Sequence, residues 1–89
     1  MTKKELDAEL DRAKCLEEKF YSSETKDEQT EFFKQFLDCS NRTLALLEEM
    51  CNNEEISCYK MSFIMLNLCD RRDAMIKDIQ RRTYYGNCT

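Results

Sequence analysis

Residues 61–69 read MSFIMLNLC, and seven of these nine residues are apolar when cysteine is counted. The stretch lies in the middle of the longest predicted helix, so its apolar side chains surround the helix axis. A helix that is apolar on every side is buried on every side. A chain of 89 residues buries only about 60% of its unfolded surface. We therefore expect it to need partners to enclose this stretch.

The composition around this stretch favours an all-α chain that forms a single domain, residues 1–89. There is no proline and only one glycine, Gly86, whereas Leu, Glu, Lys and Met are abundant. Tight turns depend on Gly, Pro and Asn, and the abundant residues are good helix formers. Charged residues make up 36% of the chain, which is typical of solvent-exposed helices.

Breaks in the apolar pattern divide the chain into three helices and an irregular tail, over about residues 3–21, 26–51, 54–82 and 83–89. Thr25 with Glu28 predicts a capping box at the start of the second helix. Asn53 can cap the third helix, with Glu54 and Glu55 in its first turn. So short a link predicts a tight reversal and an antiparallel helical hairpin as the core. One continuous helix is the alternative, because asparagine does not break a helix as proline does.

The first helix carries a narrower apolar stripe than the other two. It consists of Leu6, Leu10, Ala13, Leu16 and Phe20. Because the stripe is narrow and contains a small alanine, we expect this helix to contribute little to the core.

Apolar seams on the second and third helices identify the surfaces that should pack. The second helix has two seams that step alternately by four and three residues, as at a coiled-coil edge. The third helix has one full-length seam and a shorter one of Ile56, Tyr59, Phe63 and Leu66. Arg72 interrupts the full-length seam, where a polar residue often sets register and partner choice. We predict a partner interface formed by Phe33, Phe36, Leu37, Leu44, Leu47, Met61, Phe63, Met65, Leu68, Arg72, Met75 and Ile79.

The net charge of −4 is unevenly distributed. Residues 1–55 hold eight basic and fifteen acidic residues, whereas residues 56–89 hold six and three. The acidic part can therefore attract the basic part, within one chain or between copies. Because Asp70, Asp73 and Asp78 interrupt the basic residues, there is no clustered basic face of the kind that binds nucleic acid. We expect no nucleic-acid partner.

The residue types that catalysis and cofactor binding need are missing or badly spaced. The chain has no histidine, which removes the common general base and the usual zinc nitrogen ligand. One glycine excludes a phosphate-cradling loop. Neighbouring carboxylates such as Glu48 and Glu49 diverge by about 100° on a helix. We expect no enzyme activity, no cofactor, no metal and no small-molecule ligand.

No targeting or membrane segment is visible in the sequence. The first residues, MTKKELDAELDRAK, lack the apolar core of a signal peptide. No run reaches the roughly 18 apolar residues of a membrane span. We expect an intracellular protein of the cytoplasm or nucleus that does not bind membranes.

Six cysteines are an unusual number for such a chain, and none forms a C-x-x-C pair. In an antiparallel hairpin, the residue numbers of any two facing residues add up to nearly the same total. Cys39 with Cys69, and Cys51 with Cys58, share one register and are candidate disulfides. The spacings C-x11-C and C-x10-C loosely resemble the twin-cysteine helical hairpins of the mitochondrial intermembrane space, whose usual spacings are shorter. The resemblance implies a disulfide-stapled subunit or assembly factor of that compartment.

The angular positions of the cysteines favour reduced thiols. At about 100° per residue, Cys58 and Cys69 lie on one side of their helix, whereas Cys39 and Cys51 are about 120° apart. The two disulfides therefore do not fit together in one straight seam. Buried cysteine also commonly acts as a small apolar residue. We therefore predict a non-catalytic helical scaffold or adaptor subunit that assembles with itself or with other protein helices through coiled-coil-like packing. The disulfide-stapled intermembrane-space protein is the alternative.

Overall fold

The computed structural model describes the backbone of residues 2–86 and the side chains of residues 3–82. Three helices form this part of the chain: α1 (Thr2–Ser22), α2 (Lys26–Asn52) and α3 (Cys58–Gly86). No strand occurs within the described backbone, and the predicted all-α class is confirmed. The bounds of α1 and α2 lie within one residue of those expected from the sequence.

A short polar link joins α1 to α2 and provides the cap of each helix. The Ser23 hydroxyl donates a hydrogen bond to the Lys19 carbonyl at 2.7 Å, which satisfies one of the free carbonyls at the end of α1. Thr25 is the N-cap of α2, because its Oγ1 accepts a hydrogen bond from the Glu28 backbone N–H at 3.1 Å. This contact confirms the predicted capping role of Thr25.

The link from α2 to α3 is longer than predicted and begins with a Schellman motif. The backbone N–H of Glu55 donates to the Met50 carbonyl at 2.8 Å, and that of Glu54 donates to the Cys51 carbonyl at 3.1 Å; this is the Schellman pattern at a helix end. Glu54 has a φ of 58°, the left-handed conformation in which glycine is usual. Asn53 therefore ends α2 instead of capping α3, and the predicted start of the third helix at residue 54 is wrong.

Both ends of α3 differ from the prediction. Ser57 is its N-cap, since its Oγ accepts a hydrogen bond from the Lys60 backbone N–H at 3.1 Å. A capping box has Glu or Gln at that position, so the usual sequence signature is absent. The helix also continues through residues 83–86, which were predicted to be irregular; the first poor helix former there is Gly86 itself. Residues 87–89 of the predicted tail lie outside the described residues.

The core takes side chains from all three helices. One cluster contains Ala13, Leu16, Phe20, Phe36, Cys39, Leu68 and Met75, and a second contains Leu6, Leu47 and Met50. Helix α1 packs more closely against α2 than α3 does. The expectation that the first helix contributes little is therefore wrong. Ala13 and Phe20 are fully buried, so the small alanine is part of a tightly packed interface.

Helices α2 and α3 form a helical hairpin. The Gln29 Nε2 atom donates a hydrogen bond to Asp78 Oδ2 at 2.6 Å, which places the start of α2 beside the later part of α3. The sulfur atoms of Cys51 and Cys58 lie 3.5 Å apart, which places the end of α2 beside the start of α3. The alternative of one continuous helix is wrong, because the chain leaves the helical conformation between residues 53 and 57.

The bundle is long and thin. Its Cα atoms extend over 53 × 20 × 14 Å. The solvent-accessible surface is 6392 Å², whereas a compact monomer of 10.7 kDa exposes roughly 5500 Å². The excess of roughly 900 Å² reflects the elongated shape, in which one side of each helix remains uncovered.

Candidate functional site

Three apolar side chains near the start of α3 face away from the core, and we call Tyr59, Phe63 and Leu66 the outer stripe. Their exposed fractions are 83%, 66% and 65%. At about 100° per residue they lie within an arc of about 60°. Leu68 and Met75, on the opposite side of α3, are 3% and 0% exposed. Neither α1 nor α2 covers the outer stripe, so a single chain does not bury this part of α3 on every side.

The same side of α3 becomes charged beyond the outer stripe. Asp70, Asp73, Lys77 and Arg81 continue along it at steps of three and four residues, and all four are exposed. Two acidic and two basic residues leave this part of the surface without net charge. On this side of α3, a partner can therefore bury apolar surface only along residues 59–66, which span about two helical turns.

A shallow groove between α2 and α3 lies on the flank of α3 next to the outer stripe. It is lined by Leu37, Ser40, Asn41, Leu44, Met65, Leu68, Cys69 and Arg72. The Ser40 Oγ atom is buried and has no hydrogen-bond partner among the described residues. A buried hydroxyl left in this state costs about 1–3 kcal/mol. Met65, which is 36% exposed, joins the groove to the outer stripe.

The twelve residues of the predicted partner interface fall into three groups. Those buried in the chain's own core are Phe36, Leu47, Leu68 and Met75. Those half-buried are Phe33, Leu37, Leu44, Met61 and Ile79. Those exposed are Phe63, Met65 and Arg72. The buried group is not accessible to a partner, because the three helices already enclose it. Tyr59 and Leu66 are exposed but were missing from the predicted interface, although the seam that ends at Leu66 was a signal for both.

Of the two adjacent arginines on α3, Arg71 reaches another helix and Arg72 does not. The Arg71 Nε atom lies 3.2 Å from Glu17 Oε2 on α1, and its guanidinium carbon lies 5.5 Å from the centroid of the Phe36 ring on α2. Arg72 pairs instead with its neighbour Asp73 at 3.4 Å. Steps of three and four residues are both consistent with one helical face, so the sequence did not distinguish these two positions.

The thiol of Cys39 makes a buried contact with α1. Its Sγ donates to the backbone carbonyl and to Oε2 of Glu9, both at 3.1 Å. Burial and the bond to Glu9 raise the pKa of Cys39 to about 11. Burial alone would raise the pKa of Glu9, but its bonds from Cys39 and Arg42, with the charges of Arg42 and Arg12, outweigh this effect and lower the pKa. The candidate disulfide of Cys39 with Cys69 is not formed in this structure, since both thiols are free and Cys39 contacts α1.

Cys51 and Cys58, the second candidate disulfide pair, come together across the α2–α3 link. Their sulfur atoms are 3.5 Å apart and share a hydrogen bond, and both thiols are free. The hydrogen bond shared with Cys58, with a further contribution from burial, raises the pKa of Cys51. Cys58 is exposed and Cys51 is half-buried. One of the two candidate pairs therefore has its sulfur atoms close enough to react with each other.

Other kinds of site are not seen in the described part of the chain. Among those residues, no three or more Cys, Asp or Glu side chains are grouped so that they could hold a metal ion. Within the same range, no helix combines the length and apolar character needed to cross a membrane. Within the described residues, the outer stripe offers exposed apolar surface and the α2–α3 link offers a pair of adjacent thiols.

Comparison with known proteins found no matching protein family, no similar curated protein and no similar solved structure.

Proposed function

We propose that the chain is a non-catalytic helical scaffold or adaptor subunit. It assembles with a second copy or with another helical protein through coiled-coil-like packing of an antiparallel α2–α3 hairpin, within the cytoplasm or nucleus. The outer stripe carries this proposal. The stripe places two aromatic side chains and a leucine at positions i, i+4 and i+7. Apolar side chains at this spacing are those by which one helix packs into a groove of its partner. The three side chains of the stripe are also the most exposed large apolar side chains of the described residues.

The area of the outer stripe indicates how large the interface must be. Its three side chains expose on the order of 400 Å² of apolar surface, the size of the largest patch on a typical monomer. Burying that area is worth on the order of 10 kcal/mol, whereas association costs about 4–15 kcal/mol. The stripe alone therefore supports only weak binding.

A partner that also covers the adjacent groove would bury a larger area than the outer stripe alone. A standard interface buries approximately 800 Å² on each partner, about twice the area of the stripe. The groove adds Leu37, Leu44 and Met65 to the apolar area. The balanced charges beyond the stripe do not repel a second copy.

The alternative of a disulfide-stapled intermembrane-space protein has less support. Such a staple requires two bonds between the paired helices. Among the described cysteines, only Cys51 and Cys58 lie within reach of each other, while Cys39 is directed towards Glu9 on α1. The positions of the thiols therefore favour the scaffold.

Charge reversal on the outer stripe tests the proposal by sedimentation. Phe63→Glu places a carboxylate in the stripe without entering the core, since Phe63 is 66% exposed. Gln80→Glu adds the same charge at an exposed position farther along α3 and is the matched control. At concentrations of about 10–100 µM, in the range of weak association, we expect the wild type and Gln80→Glu to exceed the monomer mass. Phe63→Glu should be a monomer with unchanged helicity.

A partner other than a second copy is identified by photo-crosslinking. A photoreactive phenylalanine analogue at position 63 should crosslink to a helix, whereas the same analogue at position 80 should not. The proposal fails if the wild type remains a monomer and position 63 crosslinks no better than position 80.

A further inference from the structure

We propose that Cys51 and Cys58 form a reversible dithiol site, which low-molecular-weight disulfides of the glutathione type oxidise to an internal disulfide. The site joins the last turn of α2 to the first residue of α3. It lies outside the outer stripe, and the inference does not depend on the scaffold function.

The distance between the sulfur atoms carries this inference. Their separation of 3.5 Å exceeds the length of a disulfide bond by about 1.5 Å. Rotation of the two side chains can supply a movement of this size. Cys58 is exposed and Cys51 is only half-buried, so neither sulfur is held in place by the core. The link of residues 53–57 already brings the two helix ends together.

Thiol–disulfide exchange accounts for every atom and electron of the step. The Cys58 thiol, which is the more exposed, loses its proton, and the thiolate attacks one sulfur of glutathione disulfide. The glutathione S–S bond breaks, one glutathione thiolate leaves, and Cys58 carries the other glutathione as a mixed disulfide. The Cys51 thiolate then attacks the Cys58 sulfur and expels the second glutathione. Both protons end on the two glutathione thiols, and the cysteine pair has given up two electrons.

The other described cysteines lack the geometry for this second step. Among the described cysteines, only Cys51 and Cys58 share a contact. Cys39 is buried and bound to Glu9, which slows its reaction with any external disulfide. Among the described residues, no thiol contacts Cys15 on α1 or Cys69 on α3, so exchange at either stops at a glutathione adduct.

Peptide mapping of the full chain reads the reaction directly. Trypsin cleavage after Arg42 and Lys60 releases residues 43–60, which contain Cys51 and Cys58 and no other cysteine. After incubation in mixtures of reduced and oxidised glutathione and alkylation of remaining thiols, we expect this peptide to lose two hydrogen atoms and to escape alkylation. Excess reduced glutathione should restore both thiols. The oxidised chain should melt on the order of 5–10 °C higher, because the bond closes a short loop.

Single substitutions provide the controls. Cys58→Ser should leave Cys51 as a glutathione adduct, and Cys51→Ser should leave Cys58 in the same state. Cys69→Ser should form the internal bond as the wild type does. The proposal is overturned if the wild-type peptide carries two glutathiones, or links to a second chain, at every glutathione ratio. Because Cys58 is exposed, its replacement leaves the fold intact and the comparison valid.

Discussion

Leu66 and Leu68 are two residues apart on α3 and lie on opposite sides of the helix. Leu66 belongs to the outer stripe and is 65% exposed, whereas Leu68 belongs to the core and is 3% exposed. Leu→Ala removes the same atoms at both positions and introduces the same good helix former. The difference between the two variants in free energy of unfolding therefore reports the difference in burial.

The expected magnitudes follow from these exposures. Leu68→Ala loses the transfer free energy of a buried side chain and leaves a cavity, at a cost of about 2–4 kcal/mol. Leu66 is covered over only about a third of its surface, so Leu66→Ala should cost about 0.5–1 kcal/mol. A chain of this length has a total stability on the order of 5–13 kcal/mol. A difference of about 2 kcal/mol between the variants is a change of roughly 30-fold in the folding equilibrium.

Urea unfolding followed by helical circular dichroism measures both values. Dilute protein is needed, because association stabilises the folded chain by mass action. Sedimentation at higher concentration should show the larger effect on association in Leu66→Ala. This variant should lose association, whereas Leu68→Ala molecules that remain folded should retain it. Equal losses of stability, or a larger loss in Leu66→Ala, would show that α3 is rotated about its axis relative to this structure.

Three further predictions concern charge, backbone conformation and pH. Arg71→Ala should lower the free energy of unfolding by about 1 kcal/mol, since it removes an inter-helix ion pair and a cation–π contact. Arg72→Ala should lower it by less than about 0.5 kcal/mol, and equal effects in urea melts would disprove the assignment. Glu54→Gly should raise stability by about 0.5–1 kcal/mol by relieving a left-handed residue. The control Glu55→Gly should leave the melting temperature unchanged or lower it. A higher melting temperature in both variants would show that the left-handed conformation of Glu54 is not the cause. The pKa of Cys39 in the folded chain is raised from 9.0 to about 11. The stability that the neutral thiol gives the folded chain is therefore fully present below about pH 9 and is lost as the pH rises towards 11. The melting temperature of Cys39→Ala should therefore fall less between pH 9 and pH 11 than that of the wild type. An equal fall in both proteins would show that the Cys39 thiol is not the group responsible.

Helix identity and most helix ends could be predicted from the sequence because they depend on local interactions. The absence of proline and the four- and three-residue spacing indicate three helices, and Thr25 accepts the hydrogen bond expected of an N-cap. The start of α3 could not be predicted in the same way. Glu54 adopts a left-handed conformation that glycine normally occupies, and Ser57 caps α3 without a Glu or Gln partner.

The orientation of each helix about its axis required the packed structure. Residues 61–69 are apolar around the helix, so periodicity does not rank one side above another. Leu68 became the core residue because α1 and α2 pack against that side, and Leu66 was left outside. The same packing directs Arg71 to α1 and α2 and Cys39 to α1. Each of these choices depends on contacts between residues far apart in the chain, which local spacing does not encode.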